Sequence, residues 1–139
     1  MKKRLLYLIL PLVTLTLEIL PYGAVLNFML PSTTEGVPPG QFRELYSYFD
    51  LMPFGYANYA PLITAIITCI VLLMVVVYCL TGKQKWAIAA KKTLFVCSAV
   101  SLGPLVLGIS FFSVVGALIT VTLIAELLLI RFTVKKTVE

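Results

Sequence analysis

Apolar residues gather into three long runs along this chain. The first extends over residues 5–30, the second over residues 61–80 without any charge, and the third over residues 93–130. A helix needs about 20 predominantly apolar residues to cross a bilayer, so the third run is long enough for two crossings. The pattern therefore predicts four membrane spans, at residues 5–29, 61–80, 93–110 and 113–131.

The third run must contain a turn, and two positions compete for it. A turn at Gly103–Pro104 would leave a third span of only about ten residues, which is too short to cross a bilayer. A turn near Ser110–Ser113 gives both spans sufficient length and leaves Gly103–Pro104 as a kink inside the third span. We therefore place the turn near Ser110–Ser113.

The longest polar interval, residues 31–60, lies between the first two spans. It begins with PSTTEGVPPG, which is rich in turn-forming residues, and continues with QFRELYSYFDLM. In the second segment Phe42, Leu45, Tyr46 and Phe49 recur with the spacing of one helical face. This spacing predicts a short amphipathic helix lying at the membrane interface. A loop packed on the helix ends is the alternative.

The composition places these elements in a membrane. Hydrophobic residues make up 60% of the 139 residues and charged residues 12%, whereas soluble domains average ~45–50% apolar and ~25% charged residues. So few charges cannot cover a water-facing surface, and the apolar surface must face lipid. We expect one all-α membrane domain over residues 1–139, a four-helix transmembrane bundle with a short outer amphipathic interfacial helix.

The distribution of lysine and arginine predicts the orientation. In a four-span arrangement ten of the eleven cations fall on one side, and only Arg43 lies in the opposite loop. Because cationic loops stay in the cytoplasm, we expect both termini and residues 81–92 to be cytoplasmic and residues 31–60 to be extracytoplasmic. The protein would then be a multi-pass protein of the cell membrane. The ten cations are Lys2, Lys3, Arg4, Lys83, Lys85, Lys91, Lys92, Arg131, Lys135 and Lys136.

The first apolar run follows MKKR, a start that is also typical of secretory signal peptides. The run is too long for a typical signal sequence and is interrupted by Glu18. Ala24, the best small residue for cleavage, has Tyr22 at the −3 position, which disfavours cleavage. We therefore expect an uncleaved membrane anchor.

The lysines within residues 81–92 form a short cationic loop in this arrangement. Its simplest interpretation is a topology determinant. Such a cluster also binds anionic lipid or an acidic protein partner. Because the cations flank apolar spans, we do not expect nucleic acid as a partner. The four lysines are Lys83, Lys85, Lys91 and Lys92.

Glu18 is the first candidate functional residue, because it is a carboxylate inside an apolar span. Since a charge is costly in hydrocarbon, we expect this carboxyl to be protonated. A broken helix beside a buried carboxylate is how many transporters build an ion site. The alternative is a structural carboxyl that hydrogen-bonds across the bundle or to a partner subunit. The helical face around it consists of Tyr7, Pro11, Thr14, Glu18 and Tyr22.

Glu126 is the second candidate, with Thr122 one turn away on the same face of the fourth span. It lies about 7 Å from the inner end of its span, whereas Glu18 lies about 20 Å from the inner end of the first, at ~1.5 Å per residue. We therefore expect the two carboxylates to occupy separate sites. Glu126 is expected to reach toward Arg131 or the basic loop, as a structural ion pair or an interface residue.

The remaining residue types give no sign of catalysis. The chain has no histidine, and its three cysteines lie inside apolar runs without a CxxC pair, so neither a metal nor a cofactor is expected. Motifs of hydrolases, metalloproteases and nucleotide-binding enzymes are absent, and we expect the protein not to be an enzyme. Thr64 and Thr68, one turn apart in the second span, indicate a face for close helix packing.

The stretch SYFDLMPFGYANYAPLITAIIT, followed by a basic loop and an apolar hairpin, resembles uncharacterised small four-span membrane proteins of Gram-positive bacteria. The resemblance covers mainly the first two spans and their loop, and it implies no function. Four spans and a glutamate in the first are also similar to small multidrug resistance transporters. This chain departs from them in its long outer loop, its one-sided cations and the lack of their other motifs.

These features lead to a hypothesis with two alternatives. We expect a non-catalytic multi-pass membrane protein that associates with other membrane components, either a protein partner or further copies of itself. The first alternative is a small oligomeric proton-coupled transporter that uses Glu18. The second is an immunity or stress factor that acts on the bilayer.

Overall fold

The structure, a computed structural model, describes residues 6–29, 41–51 and 58–136. Helices dominate it, and one antiparallel pair of strands lies between the first two helices. A 3₁₀ turn at Leu6–Leu8 precedes the first helix, and another at Ile109–Phe111 precedes the last. The elements are α1 (Ile9–Ile19), β1 (Ala24–Met29), β2 (Gln41–Tyr46), α2 (Ala60–Thr81), α3 (Gln84–Ser101), α4 (Gly103–Leu107) and α5 (Val114–Lys136).

The four long helices pack side by side in a ring, in the order α1, α2, α3, α5 and back to α1. Neighbouring helices run in opposite directions. For example, a hydroxyl near the middle of α1 contacts one near the middle of α5, with 2.9 Å between Thr14 Oγ1 and Thr122 Oγ1. Nearer to the strand pair, a Cβ on Gly116 would lie 3.2 Å from the carbonyl oxygen of Gly23. The ring therefore has an up-and-down arrangement with polar side chains at its centre.

Three helices among the described residues are long and apolar enough to cross a membrane, at Ala60–Thr81, Gln84–Leu107 and Val114–Phe132. The first apolar helix is shorter and covers only Leu6–Ile19, about 21 Å at ~1.5 Å per residue. The hydrocarbon core of a bilayer is about 30 Å thick, so this helix does not span it by itself. The structure thus contains three helices with the length of a membrane span and one shorter helix.

The prediction of a helical span that continues to residue 29 is wrong. The helix ends at Ile19 because Pro21 has no N–H to donate and forces the residue before it out of the helical conformation. Leu20 is accordingly extended, with φ −63° and ψ 137°. The chain then enters β1, so residues 24–29 are a strand.

The predicted interfacial helix around Phe42, Leu45, Tyr46 and Phe49 is also wrong, and with it the expectation of an all-α domain. Residues 41–46 form β2, which pairs with β1 so that Phe42 lies opposite Phe28. The helical spacing covered barely two turns, and aromatic and aliphatic residues fit a paired strand equally well. Pairing with β1 therefore decides the conformation, and Phe49 lies beyond the strand.

The strand pair closes one end of the helix ring, which is called the outer end from here on; the opposite end, with the turn between α2 and α3, is called the inner end. Val25 and Leu26 are both fully buried, although successive side chains of a strand point to opposite faces. Both faces of β1 are therefore covered by protein. Phe112 forms an isolated bridge with Ala24, and the side-chain amide of Asn58 donates to the carbonyl oxygen of Val25 at 3.4 Å. The predicted outer loop, residues 31–60, contains the strand β2, and its residues 31–40 and 52–57 lie outside the described residues.

The expected cytoplasmic loop at residues 81–92 is mostly helical. Gly82 ends α2 in the left-handed conformation, with φ 65°, and its N–H bonds to the carbonyl oxygen of Tyr78 at 2.8 Å. The next helix starts two residues later, at Gln84. Lysine, alanine and glutamine are good helix formers, so α3 begins well before the apolar run does. As a result, Lys85, Lys91 and Lys92 lie on a helix.

The predicted break inside the third span and the predicted turn after it are confirmed. The helix is interrupted at Leu102 and resumes as the short α4 at Gly103–Leu107. A Cβ on Gly103 would lie only 2.7 Å from the Cβ of Ala60, so a glycine here allows α4 to approach the start of α2 closely. The chain reverses between Gly108, with φ 131°, and the start of α5 at Val114.

Candidate functional site: a buried row of carboxyl and hydroxyl groups

Polar side chains line the inside of the helix ring, although the helices are apolar outside. They come from all four long helices, which places them in one interior rather than on separate faces. We call this set the carboxyl row. It consists of Thr14, Glu18, Thr68, Cys97, Thr122 and Glu126; of these, only Thr122 is more than 1% exposed.

The backbone of Glu18 marks the outer end of the row. Because the helix stops before Pro21, the carbonyl oxygen of Glu18 has lost its usual helical donor, and the N–H of Tyr22 bonds to Leu20 instead at 2.8 Å. Two groups just after β2 replace the lost donor. The Ser47 hydroxyl donates to Glu18 O at 2.9 Å and the N–H of Tyr48 at 3.0 Å. The outer segment thereby completes the end of α1.

The side chain of Glu18 is fully buried and bonds to α2. Thr68 Oγ1 lies 2.8 Å from Glu18 Oε1 and 3.0 Å from the carbonyl oxygen of Thr64. A hydroxyl has one hydrogen, so it cannot donate to both oxygens at once. A protonated carboxyl resolves this, since it donates to Thr68 Oγ1 and leaves the Thr68 hydrogen for Thr64. Cys97 Sγ lies 3.7 Å from Thr68 Oγ1 and extends the contact to α3.

Glu126 is as deeply buried as Glu18 but is bonded less well. It is 1% exposed, and neither carboxyl oxygen has a hydrogen-bond partner within the described part of the chain; Glu18 Oε2 likewise has none there. Leaving a buried polar group unpaired costs about 1–3 kcal/mol. In natural proteins such a group calls for an explanation, such as a bound water, an ion or a functional role.

The expected contact between Glu126 and Arg131 is wrong. At ~3.6 residues per turn, positions five apart lie about 140° apart around a helix. Glu126 therefore faces the interior while Arg131 is exposed. Thr122, one turn before Glu126, points toward α1 and contacts Thr14, as its shared face with Glu126 suggests.

The two carboxyl groups face the same interior but lie at different levels, and their separation into two sites stays a prediction. With Thr14 opposite Thr122 and the helices antiparallel, Glu18 lies one turn outward and Glu126 one turn inward, so their levels differ by about 12 Å at ~1.5 Å per residue. The difference in depth thus agrees with the sequence analysis. Both side chains are nonetheless buried inside the same ring of helices. They belong to one row.

The two predicted tyrosines lie away from this row. Tyr22 is 54% exposed at the outer end, beyond the helix break. Tyr7 is half-buried near the inner end, where its ring meets that of Tyr78 edge-on with 6.2 Å between centroids. Only Thr14 and Glu18 of the predicted face enter the interior site.

Sequence reasoning missed Tyr48, which covers the outer end of the row. It is 1% exposed, and a Cβ on Gly23 would lie 2.7 Å from its ring. Burial raises the pKa of the Tyr48 phenol well above its usual range, and the nearby Glu18 and Cys97 add to this effect. The predicted helix over residues 42–49 gave no reason to expect the Tyr48 ring inside the protein. Gly23 is the indication that the sequence offers, because a residue without a side chain leaves room for a large ring beside it.

Comparisons of the chain with protein-family models, with curated proteins and with solved structures find no match. The chemistry of the row must therefore be judged from its geometry. No group of three or more histidine, cysteine, aspartate or glutamate side chains that could hold a metal ion occurs among the described residues. The row contains two buried carboxyl groups, each able to hold a proton, of which Glu18 is hydrogen-bonded to the hydroxyl of Thr68.

The contact between Thr68 and Glu18 can be tested by replacing Thr68 with valine. Thr68→Val keeps the side-chain shape but leaves Glu18 Oε1 without its partner, so we expect the free energy of unfolding to fall by about 1–3 kcal/mol. Thermal unfolding in detergent micelles would measure it. The matched control is Thr16→Val, since Thr16 is exposed and bonds only to its own helix, and we expect a change within about 0.5 kcal/mol. Equal stability of the two variants would contradict the assignment.

Proposed function

We propose that the chain is a non-catalytic multi-pass membrane protein that acts by associating with other membrane components. The observation that carries this proposal is the division of the helices into polar interior and apolar exterior. Outward-facing side chains such as Ile66, Leu73 and Val121 are 52%, 65% and 61% exposed. Such a surface is covered by lipid or by another membrane protein in the cell.

We base the proposed orientation in the membrane on the positions of the lysine and arginine residues. The turn between α2 and α3 and the last part of α5 lie at the same end of the ring, because Lys92 and Arg131 line one groove. Placing this cationic end in the cytoplasm gives both termini a cytoplasmic location and leaves the strand pair outside. In this arrangement α1 and the residues that follow it form the first of four passes, which ends at the strand pair.

The outer end offers the best surface for contact with a partner. Exposed aromatic and aliphatic side chains occur here on segments that are not membrane helices, at the end of α1, on β2 and after it. Aromatic residues are enriched in the cores of protein interfaces. These side chains are Tyr22, Phe42, Leu45, Phe49 and Leu51, exposed by 54%, 53%, 40%, 39% and 83%.

A second candidate function, proton-coupled transport, is favoured by the unpaired carboxyl oxygens of Glu18 and Glu126. A carboxyl that carries protons is protonated in one step of transport and ionised in another, and it needs different hydrogen-bond partners in each. Oxygens without a partner in the present conformation fit such a role. Transport would require the ring of helices to open, because Glu18 is fully buried and a proton or substrate has to reach it from water.

Photo-crosslinking in native membranes tests the association. With a photoreactive amino acid at position 42 we expect an adduct of defined mass with a protein partner or a second copy, since Phe42 is 53% exposed at the outer end. The control position is Leu73, 65% exposed in the middle of α2, where we expect lipid adducts only. If position 42 yields monomer only, or the same adducts as position 73, this contact surface is wrong.

Proton flux into proteoliposomes separates the two candidate functions. If association alone is the function, liposomes with the wild-type protein should acidify no faster than empty ones under a pH gradient. If transport is the function, wild-type flux should be measurable and Glu18→Gln should abolish it, because glutamine keeps the shape but cannot exchange a proton. Glu44→Gln, at an exposed carboxylate of β2, is the matched control and should leave any flux unchanged.

A further inference from the structure

A groove of about 510 Å³ lies between α3 and α5 at the cationic end of the ring. Seven side chains line it, and they divide into two chemical groups. The cationic group is Lys91, Lys92 and Arg131, and the apolar group is Phe95, Val96, Leu127 and Leu128.

The two groups lie at different levels along the helix axes. On α3, Phe95 follows Lys91 and Val96 follows Lys92 by one turn in the direction of the outer end. On α5, which runs the opposite way, Leu127 and Leu128 precede Arg131 by about one turn, again on the outer side. The groove therefore has a cationic mouth at the membrane surface and an apolar floor about 5–6 Å deeper.

The described part of the chain does not neutralise the positive charge at the mouth of the groove. Across residues 6–29, 41–51 and 58–136, no carboxylate forms an ion pair with Lys91, Lys92 or Arg131. The nearest carboxyl along α5 is that of Glu126, which is buried in the ring and faces away. Three cations from two helices thus line one groove without a carboxylate partner among the described residues, which favours an anionic ligand.

The apolar floor determines what kind of anion fits. Phe95 and Val96 are 68% and 52% exposed, so the floor opens sideways, toward the acyl chains of a bilayer. A soluble anion would occupy only the mouth, and an apolar helix of another protein would leave the cations unpaired. A molecule with an anionic head and an apolar chain about one turn deeper matches both groups.

We propose that this groove binds one anionic phospholipid of the cytoplasmic leaflet. Its phosphate contacts Lys91, Lys92 and Arg131, and an acyl chain lies against Phe95 and Leu128. The inference rests on the proposed function, because a phospholipid reaches the groove only if these helices cross the membrane. Such a phospholipid would be one membrane component with which the protein associates, and it would contact both α3 and α5 at their cationic ends.

The test is a titration of fluorescently labelled phosphatidylglycerol into the full-length protein in uncharged detergent micelles. We expect tighter binding than for labelled phosphatidylcholine. The groove variant Lys91→Gln/Lys92→Gln/Arg131→Gln should raise the Kd for phosphatidylglycerol at least about tenfold, since each cation near a membrane surface contributes about fivefold. Lys83→Gln/Lys85→Gln removes two exposed cations at the same end but outside the groove and should change the Kd by less than about twofold.

A second variant keeps the proposal testable if the triple substitution impairs folding. Val96→Trp fills the floor without changing any charge, and it should also weaken phosphatidylglycerol binding. Equal losses in the groove and control variants, displacement of the lipid by soluble glycerol phosphate alone, or a dimer formed through the groove would each overturn the proposal. A protein that resists alkaline extraction from membranes but does not prefer phosphatidylglycerol contradicts this inference alone. Release from the membrane by alkali contradicts the proposed function as well.

Discussion

The carbonyl oxygen of Glu18 joins the helix ring to the outer segment. Pro21 ends α1, and the N–H of Tyr22, which would donate to this oxygen in a continuous helix, bonds to Leu20 instead. The hydroxyl of Ser47 and the N–H of Tyr48 take its place, at 2.9 and 3.0 Å. An unpaired backbone group in a membrane costs several kcal/mol because no water is available. The break in the first helix is therefore tolerated only while the segment after β2 is docked on it.

The contacts among Tyr48, Gly23 and α5 at the outer end depend on this docking. Tyr48 fills the space beside Gly23, and its hydroxyl would lie 3.3 Å from a Cβ on Gly116, so only small residues fit there. Ser113 binds the start of α5 to Gly23. Its hydroxyl donates to the carbonyl oxygen of Gly23 at 2.5 Å and accepts from the N–H of Gly116 at 2.8 Å. The register of α1 against α5 is thereby set. That register places Glu18 and Glu126 in one interior.

The parts of this structure that could be predicted are those governed by local pattern. Long apolar runs located the three long helices, and Gly103–Pro104 marked a kink, because hydropathy and proline act within a few residues. The strand pair could not be found in this way, since β2 depends on contact with β1, which lies beyond residues 31–40. The carboxyl row also depends on distant contacts. Glu18 and Glu126 could be identified as candidates from the sequence, but only the register of the helices shows that both face the same interior. Glu126 does not reach Arg131, because positions five apart face different sides of a helix.

The docking of the outer segment on Glu18 can be measured most directly by hydrogen exchange of the Tyr48 amide. This N–H lies on an irregular segment after β2, so it would exchange quickly if the segment were free. Bonded to Glu18 O at 3.0 Å and carried by a residue that is 1% exposed, it should exchange as slowly as amides in the middle of α2. Exchange of the Tyr48 amide in micelles at the rate of an unprotected loop would contradict the account.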